Sequence, residues 1–199
     1  MSPTVVLLHG LGGNTWTLEP LRLYLKYYCQ NPKIVVFNYK TDYETIRHVV
    51  EGVAAKLTHL VTAHEPLVVI GHSLGGIVAL RLHRYFNVLH AIAVASPISK
   101  PILLSFSPLL NFRLLYKDLS VKPKEFIPPH SYLTVSASWP CAPFDGILYN
   151  NESILEPKCA KCIPWTDHRL VIVDPRLFTM IKNELNKMII KDLIMTSVK

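Results

Sequence analysis

The chain has 199 residues, half of them hydrophobic and 18% charged, with 15 prolines and a net charge of +7. Such a length and apolar content suit one compact domain with a sizeable core, and the lack of like-charge blocks or low-complexity runs excludes a disordered chain. Lys and Arg are scattered, the loosest cluster being K-D-L-S-V-K-P-K at 117–124, and no aromatic-basic interleaving resembles a nucleic-acid platform. The positive charge is therefore read as solvated surface, with no nucleic-acid partner expected.

M-S-P-T at the amino end leads straight into V-V-L-L-H-G, without the basic and apolar regions of a secretory leader. No apolar run approaches the roughly 18 residues that a bilayer-spanning helix needs. The expectation is a cytoplasmic protein, and a monomer.

Short apolar or β-branched runs at 5–8, 34–37, 67–70, 91–95, 132–136 and 161–165 predict strands. Between them, 18–28 and 43–64 predict helices. In the second of these, Ile46, Val49, Val50, Val53, Ala54, Leu57, Leu60 and Val61 fall at helical spacing. A third helix begins after Ser73 and runs through Leu82, and a last one starts at Pro175, with Asp174 as its N-cap. Strands alternating with helices mean an α/β fold, and nearly continuous apolar strands mean a parallel sheet covered on both faces.

The segment V-V-I-G-H-S-L-G-G-I-V at 68–78 puts Ser73 between a predicted strand and a predicted helix, as a nucleophile elbow of the form G-x-S-x-G requires. A sharp strand-to-helix turn brings backbones too close for β-carbons at Gly71 and Gly75. The same turn thrusts the serine hydroxyl out at the carboxyl edge of the sheet, beside the free N–H groups of a helix N-terminus. The other reading, a tight turn with an ordinary serine, fits that context poorly. L-L-H-G-L-G-G at 7–13 follows the first strand and can aim a second backbone N–H at the same place. An oxyanion formed in acyl transfer needs two such donors, each worth about 3 to 4 kcal/mol. They are assigned to the amides of Leu11 and Leu74.

A serine nucleophile needs a base and an orienting carboxylate, in the chain order Ser, Asp or Glu, His. Of the histidines after Ser73, His83 and His90 are placed on the following helix and its exit, and His130 precedes a strand. His168, in P-W-T-D-H-R-L-V, sits on a loop that can reach over the carboxyl edge and is taken as the base. For the acid, Asp118 precedes its strand on the wrong side, Asp167 adjoins the base, and Asp174 has a capping role, with Glu152 and Glu156 behind them. Asp145 follows the strand Y-L-T-V-S-A-S, and Gly146 permits the turn that would aim its carboxylate at His168.

Cys159 and Cys162 form one C-A-K-C, which is half a zinc site with no histidine at finger spacing behind it, so no metal is expected. Together with Cys29 and Cys141 they are read as reduced thiols, a 159–162 disulfide being open only in an oxidising setting.

H-G-L-G-G at 9–13, G-H-S-L-G-G at 71–76, F-D-G at 144–146 and D-H at 167–168 ahead of a closing helix together resemble the α/β-hydrolase superfamily, particularly its small lipase and esterase members. The resemblance covers most of the chain. It implies a minimal α/β-hydrolase fold, a single domain over 1–199 with a mostly parallel sheet of about six strands and helices on both faces. It further implies a serine hydrolase that cleaves carboxylic esters of small molecules or lipids through an acyl-enzyme, without a cofactor. Thioesterase, amidase or peptidase chemistry on the same triad stays open, as does an inactive hydrolase-like binding protein. The one insertion with room for a lid or rim is 97–129. Its Leu- and Phe-rich part, 102–116, is read as a helix packed on the sheet or, functionally, as an apolar rim in transient contact with a lipid surface.

Overall fold

The computed structural model describes residues 3–29, 32–41, 45–62, 64–98, 131–138, 147, 153 and 156–197, with side chains up to 188. Six strands, β1 (Thr4–Leu8), β2 (Ile34–Val36), β3 (Leu67–His72), β4 (Val88–Val94), β5 (Tyr132–Ser138) and β6 (Ala160–Pro164), form one sheet in the order β2-β1-β3-β4-β5-β6. Every pairing is parallel. The expected six-stranded α/β sheet is thus observed.

Among the described residues four helices cover the two faces: α1 (Glu19–Tyr28), α2 (Ile46–Leu57), α3 (Leu74–Arg81) and α4 (Pro175–Ser197). Alternate residues of each strand point to opposite faces. Val6, Leu8 and Val69 pack under α2 and α3 with Val49, Val53 and Val78. Val5, Leu7, Val68, Ile70 and Ile92 pack under α1 and α4 with Leu21, Leu25, Leu177 and Ile181. Burying each such side chain contributes about 1.5–3 kcal/mol relative to leaving it in water. A strand buried on both sides must be apolar at every position, which is why β1 and β3 read as unbroken hydrophobic runs.

From β1 the chain moves outward to β2 and then returns across β1 to β3. The strand order therefore reverses between β1 and β3, and the loops that leave their carboxyl ends diverge to opposite faces and open a crevice. Those two loops carry H-G-L-G-G and H-S-L-G-G.

Two elements depart from the sequence reading. The helix expected over 43–64 is shorter, because Thr45 caps it at the start with its side chain accepting the His48 N–H at 3.2 Å. Thr58 closes it, its N–H bonded to the Ala54 carbonyl at 3.1 Å. Leu60 and Val61 keep the helical spacing but belong to a turn in which both N–H groups bond to the Leu57 carbonyl, leaving Leu60 exposed and Val61 buried. The chain has to turn there to enter β3. His90, expected at a helix exit, instead lies inside β4, which begins at Val88; the polar ring in V-L-H-A breaks the apolar run and hides the strand's start. It is buried, with Nδ1 against the Ser131 hydroxyl. The 102–116 segment and Asp118 lie outside the described residues. Asp174 does cap α4, accepting the Arg176 N–H at 2.8 Å, and among the described residues no helix is long and apolar enough to cross a membrane.

At the opposite, amino edge, Glu65 ties together the starts of β1, β2 and β3. Its carboxylate accepts the Thr4 hydroxyl, the Lys33 ammonium at 2.9 Å and the Thr62 N–H at 3.1 Å. The hydroxyl first, and the ammonium next, hold its pKa down at about 2, against 4.5 for a free glutamate. A carboxylate with a depressed folded pKa stabilises the fold fully above its unfolded pKa and loses that contribution as pH falls through the folded value. Glu65→Gln is therefore expected to be less stable than the wild type at pH 7 and to lose less stability between pH 4.5 and pH 2. Urea unfolding at several pH values would check this, and parallel wild-type and variant curves would contradict it.

Candidate active site

Ser73 stands between β3 and α3 with φ 53° and ψ −119°, a left-handed conformation that costs a non-glycine residue about 1–3 kcal/mol. Its N–H is bonded to the Val94 carbonyl at 2.8 Å, and its own carbonyl accepts the Gly76 N–H at 3.0 Å, so neighbouring elements hold the strain in place. The turn tolerates no β-carbon on either flank. One on Gly71 would overlap the Gly75 carbonyl, and one on Gly75 would overlap the Leu8 carbonyl and lie 2.6 Å from the His9 carbonyl oxygen. A β-carbon on Gly10 would come within 3.1 Å of Ser73 Cβ, so the loop after β1 passes directly beside the serine.

That loop is a tight turn. The Gly13 N–H bonds to the Gly10 carbonyl at 3.1 Å, and Gly12, with φ 64°, takes the position where a type II turn requires positive φ. The turn and its surroundings use the amides of Gly12 and Gly13, the former donating to Thr41 Oγ1 at 3.1 Å. The Leu11 N–H lies outside those bonds. Leu74 opens α3, where the first N–H groups have no carbonyl a turn behind them to bond.

The loop after β2 supports the loop after β1. Asn38 Oδ1 accepts the Thr15 N–H at 2.9 Å, and the Tyr39 hydroxyl donates to the His9 carbonyl. The rings of His9 and Tyr39 stack at 4.3 Å. His9 Nδ1 lies 2.9 Å from the Gly10 carbonyl, which can only accept, so Nδ1 carries the proton; Nε2 then accepts the Tyr39 N–H at 3.4 Å. Burial pulls its pKa below the ordinary histidine value, so this ring is a neutral strut. Sequence reasoning missed His9, Asn38, Tyr39 and Thr41 as a group; the one signal was the polar cluster N-Y-K-T directly after a strand at the same sheet edge.

His168 arrives from the other side. Beyond β6, Trp165 takes φ 64°, and the Thr166 N–H bonds to the Ser138 carbonyl at 3.1 Å. Asp167 Oδ1 then accepts the N–H groups of Arg169 and Leu170, each at 2.7 Å. His168 is buried, and its Nε2 lies 3.1 Å from Ser73 Oγ. The structure thus brings Ser73 and His168 into hydrogen-bond contact across 95 residues of sequence. The competing histidines stand elsewhere: His83 Nδ1 bonds to the Leu80 carbonyl at 2.9 Å, His90 to Ser131, and His130 lies outside the described residues. Asp145 and Gly146 also lie outside them. Asp167 is occupied by its turn, and Asp174 by Arg176, whose guanidinium holds that carboxyl below its usual range. No three His, Cys, Asp or Glu side chains among the described residues are grouped to hold a metal ion.

Ser73 and His168 face a cleft of about 580 Å³ between the two loops, walled by Leu11, Pro97, Ile147, Leu170, Ile172 and Val173. That is an ordinary volume for a small-molecule site with apolar walls and a few convergent polar groups. A hydroxyl on an imidazole nitrogen, beside two loops rich in backbone N–H, can attack an electrophilic carbonyl and hold the resulting oxyanion.

Residues 5–146 match the model of the Alpha/beta hydrolase family, and the chain belongs to that family. Solved structures share its fold. The mature lipase BlEst2 from Bacillus licheniformis superposes with a TM-score of 0.69 at 15% identity, over 92% of this chain and 92% of that one. A thermophilic esterase from Thermogutta terrifontis gives 0.63 at 17%, over 93% and 90%. Tomato methylketone synthase I, complexed with 2-tridecanone, gives 0.63 at 14%, over 94% and 99%. Identities this low carry the fold alone. No curated protein sequence matches significantly.

The glycines make separable predictions. Gly75→Ala pushes a β-carbon into two backbone carbonyls that cannot rotate away, and is expected to cost about 3 kcal/mol or more, lowering the melting temperature by about 10 °C. Gly12→Ala meets nothing within 4 Å and suffers only its positive φ, about 1 kcal/mol. Thermal melts of the two variants should rank in that order.

Proposed function

We propose that the chain is a serine hydrolase that cleaves carboxylic esters, with Ser73 as nucleophile, His168 as general base and acid, and Asp145 as the carboxylate that orients the imidazole. The observation that carries this reading is the 3.1 Å approach of His168 Nε2 to the hydroxyl of a serine held in a strained elbow. Strain of this kind persists only where the surroundings over-determine it, and here it aims one hydroxyl into a cleft.

The chemistry follows from the atoms. Nε2 must be unprotonated to take the Ser73 proton, so Nδ1 carries the ring hydrogen and needs an acceptor. A carboxylate there fixes that tautomer and stabilises the imidazolium once it forms. Asp167 and Asp174 are committed elsewhere, and Ile147, two residues beyond Asp145, lines the same cleft as His168. As Ser73 Oγ bonds to the carbonyl carbon, the carbonyl oxygen becomes an anion held by the amides of Leu11 and Leu74. His168 then gives its proton to the departing alcohol, and water repeats the sequence on the acyl-enzyme. The apolar walls, and the lipase and esterase that share the fold, favour ester over amide.

Labelling with a fluorophosphonate tests this, because only an activated serine reacts. The wild type should be labelled at Ser73 and should hydrolyse p-nitrophenyl butyrate; Ser73→Ala should lose both, with turnover down by several orders of magnitude and the fold intact. Asp145→Asn should lower kcat by about 10⁴-fold through the wrong histidine tautomer, whereas Asp118→Asn and Asp174→Asn should leave it nearly unchanged. Absence of labelling in the wild type would return the chain to a hydrolase-like binding protein.

A further inference from the structure

Resting on that reading of Ser73 and His168, we infer that His72, outside the proposed triad, is a positioning residue whose imidazole N–H grips the peptide of His168 and sets its reach to the serine. His72 ends β3 and is bonded covalently to Ser73. Its Nε2 lies 2.7 Å from the backbone carbonyl of His168, at the short end of the N–H···O range. A carbonyl only accepts, so this nitrogen is the one that carries hydrogen. The two rings sit 5.2 Å apart, inclined at 48°. The Nδ1 edge of His72 faces the loop after β1, where a β-carbon on Gly10 would lie 3.3 Å from it.

The result is a closed ring of contacts. From Ser73 the path runs through the peptide bond to His72, through its imidazole to the His168 carbonyl, through His168 to its own Nε2, and across 3.1 Å back to Ser73 Oγ. The base loop has other anchors, namely the Thr166 N–H on the Ser138 carbonyl and the turn capped by Asp167, but those hold the residues on either side of His168. The His72 bond acts on the His168 peptide itself, and it starts from the residue next to the nucleophile. Any shift of the elbow thus carries the base with it. Displacement of a reacting group by about 1 Å can cost about 100-fold in rate, so a brace that couples the two positions bears directly on turnover.

The role needs a donor at the Nε2 position and no titration. Glutamine places its amide nitrogen where His72 has Nε2, so His72→Gln is expected to keep kcat for p-nitrophenyl butyrate within about threefold of the wild type, with the pH dependence of kcat unchanged. His72→Leu is expected to lower kcat by about 10- to 100-fold with KM within about twofold, and to slow fluorophosphonate labelling of Ser73 in proportion. Should the leucine variant fail to fold, His72→Glu serves in its place: it has the size of glutamine but presents oxygens to a carbonyl, and should behave as leucine does. A glutamine variant as impaired as leucine or glutamate, or a leucine variant with wild-type kcat, would overturn the inference. ¹⁵N spectra of the imidazoles give a readout independent of turnover: His72, assigned by its loss in His72→Gln, should be the Nε2–H tautomer, and a Nδ1–H tautomer would refute the brace even if the wild type proved inactive on every ester.

Discussion

The active-site geometry hangs on the approach of the first turn of α3 to the end of β1. Gly75 lies so close to the Leu8 and His9 carbonyls that no β-carbon fits between them. This approach decides how far the elbow can sink toward the sheet. It brings Ser73 against Gly10, leaving the loop after β1 no course except past the serine. A wider gap would still give a serine at a helix N-terminus, but the Leu11 amide would be out of reach of the oxygen it is proposed to hold. Gly76 extends the same constraint toward β4, since a β-carbon there would lie 2.9 Å from Ser96 Cβ and 3.0 Å from the Ala93 Cα.

Strain at Ser73 has to be offset elsewhere, and the sheet does so. The serine's own N–H is tied to β4 through the Val94 carbonyl, and α3 is buried along its whole length between sheet and neighbours. A helix buried on every side has no freedom to tilt and relieve the turn. The loop after β1 has no such helix, so it borrows rigidity from the loop after β2. That is the purpose of a neutral, stacked His9 and of the bonds from Asn38, Tyr39 and Thr41. A charged His9 would have to be solvated and would open the loop; burial lowers its pKa and so favours the neutral ring.

What the sequence made legible, and what it did not, divides along the range of the interactions. Strands buried on both faces leave an unbroken apolar run, and the clash that requires Gly71 lies within the G-x-S-x-G itself, so the sheet and the turn at Ser73 could be read directly, although the reason for Gly75, the carbonyls of Leu8 and His9, is distant in sequence. The end of α2 could not, because Leu60 and Val61 satisfy the helical period while the need to enter β3 overrules it. His90 was misplaced because one polar residue in a strand looks like the strand's edge. His168 was chosen by elimination along the chain, but the bond from His72 to its backbone, made across 96 residues, has no periodic trace. The mutual support of the loops after β1 and β2 was hidden for the same reason: ordinary polar residues acquire a role only when the sheet brings their loops together.

The two edges of the sheet carry different duties. Parallel strands put every strand-to-helix loop on the carboxyl edge, so residues as distant as His9, Ser73 and His168 converge there without any of them being in regular structure except at its ends. On the amino edge, Thr4, Lys33, Thr62 and Glu65 close the returns into β1, β2 and β3 with bonds that touch nothing in the cleft. The charged cluster around Glu65 is thereby kept at the far end of the sheet from Ser73 and His168. A loss of ionisation at Glu65 in acid loosens the sheet's starts without touching the cleft. Cleft-lining residues such as Leu170 and Val173 stand at the carboxyl edge, so a change there leaves the bonds of Glu65 at the strand starts in place.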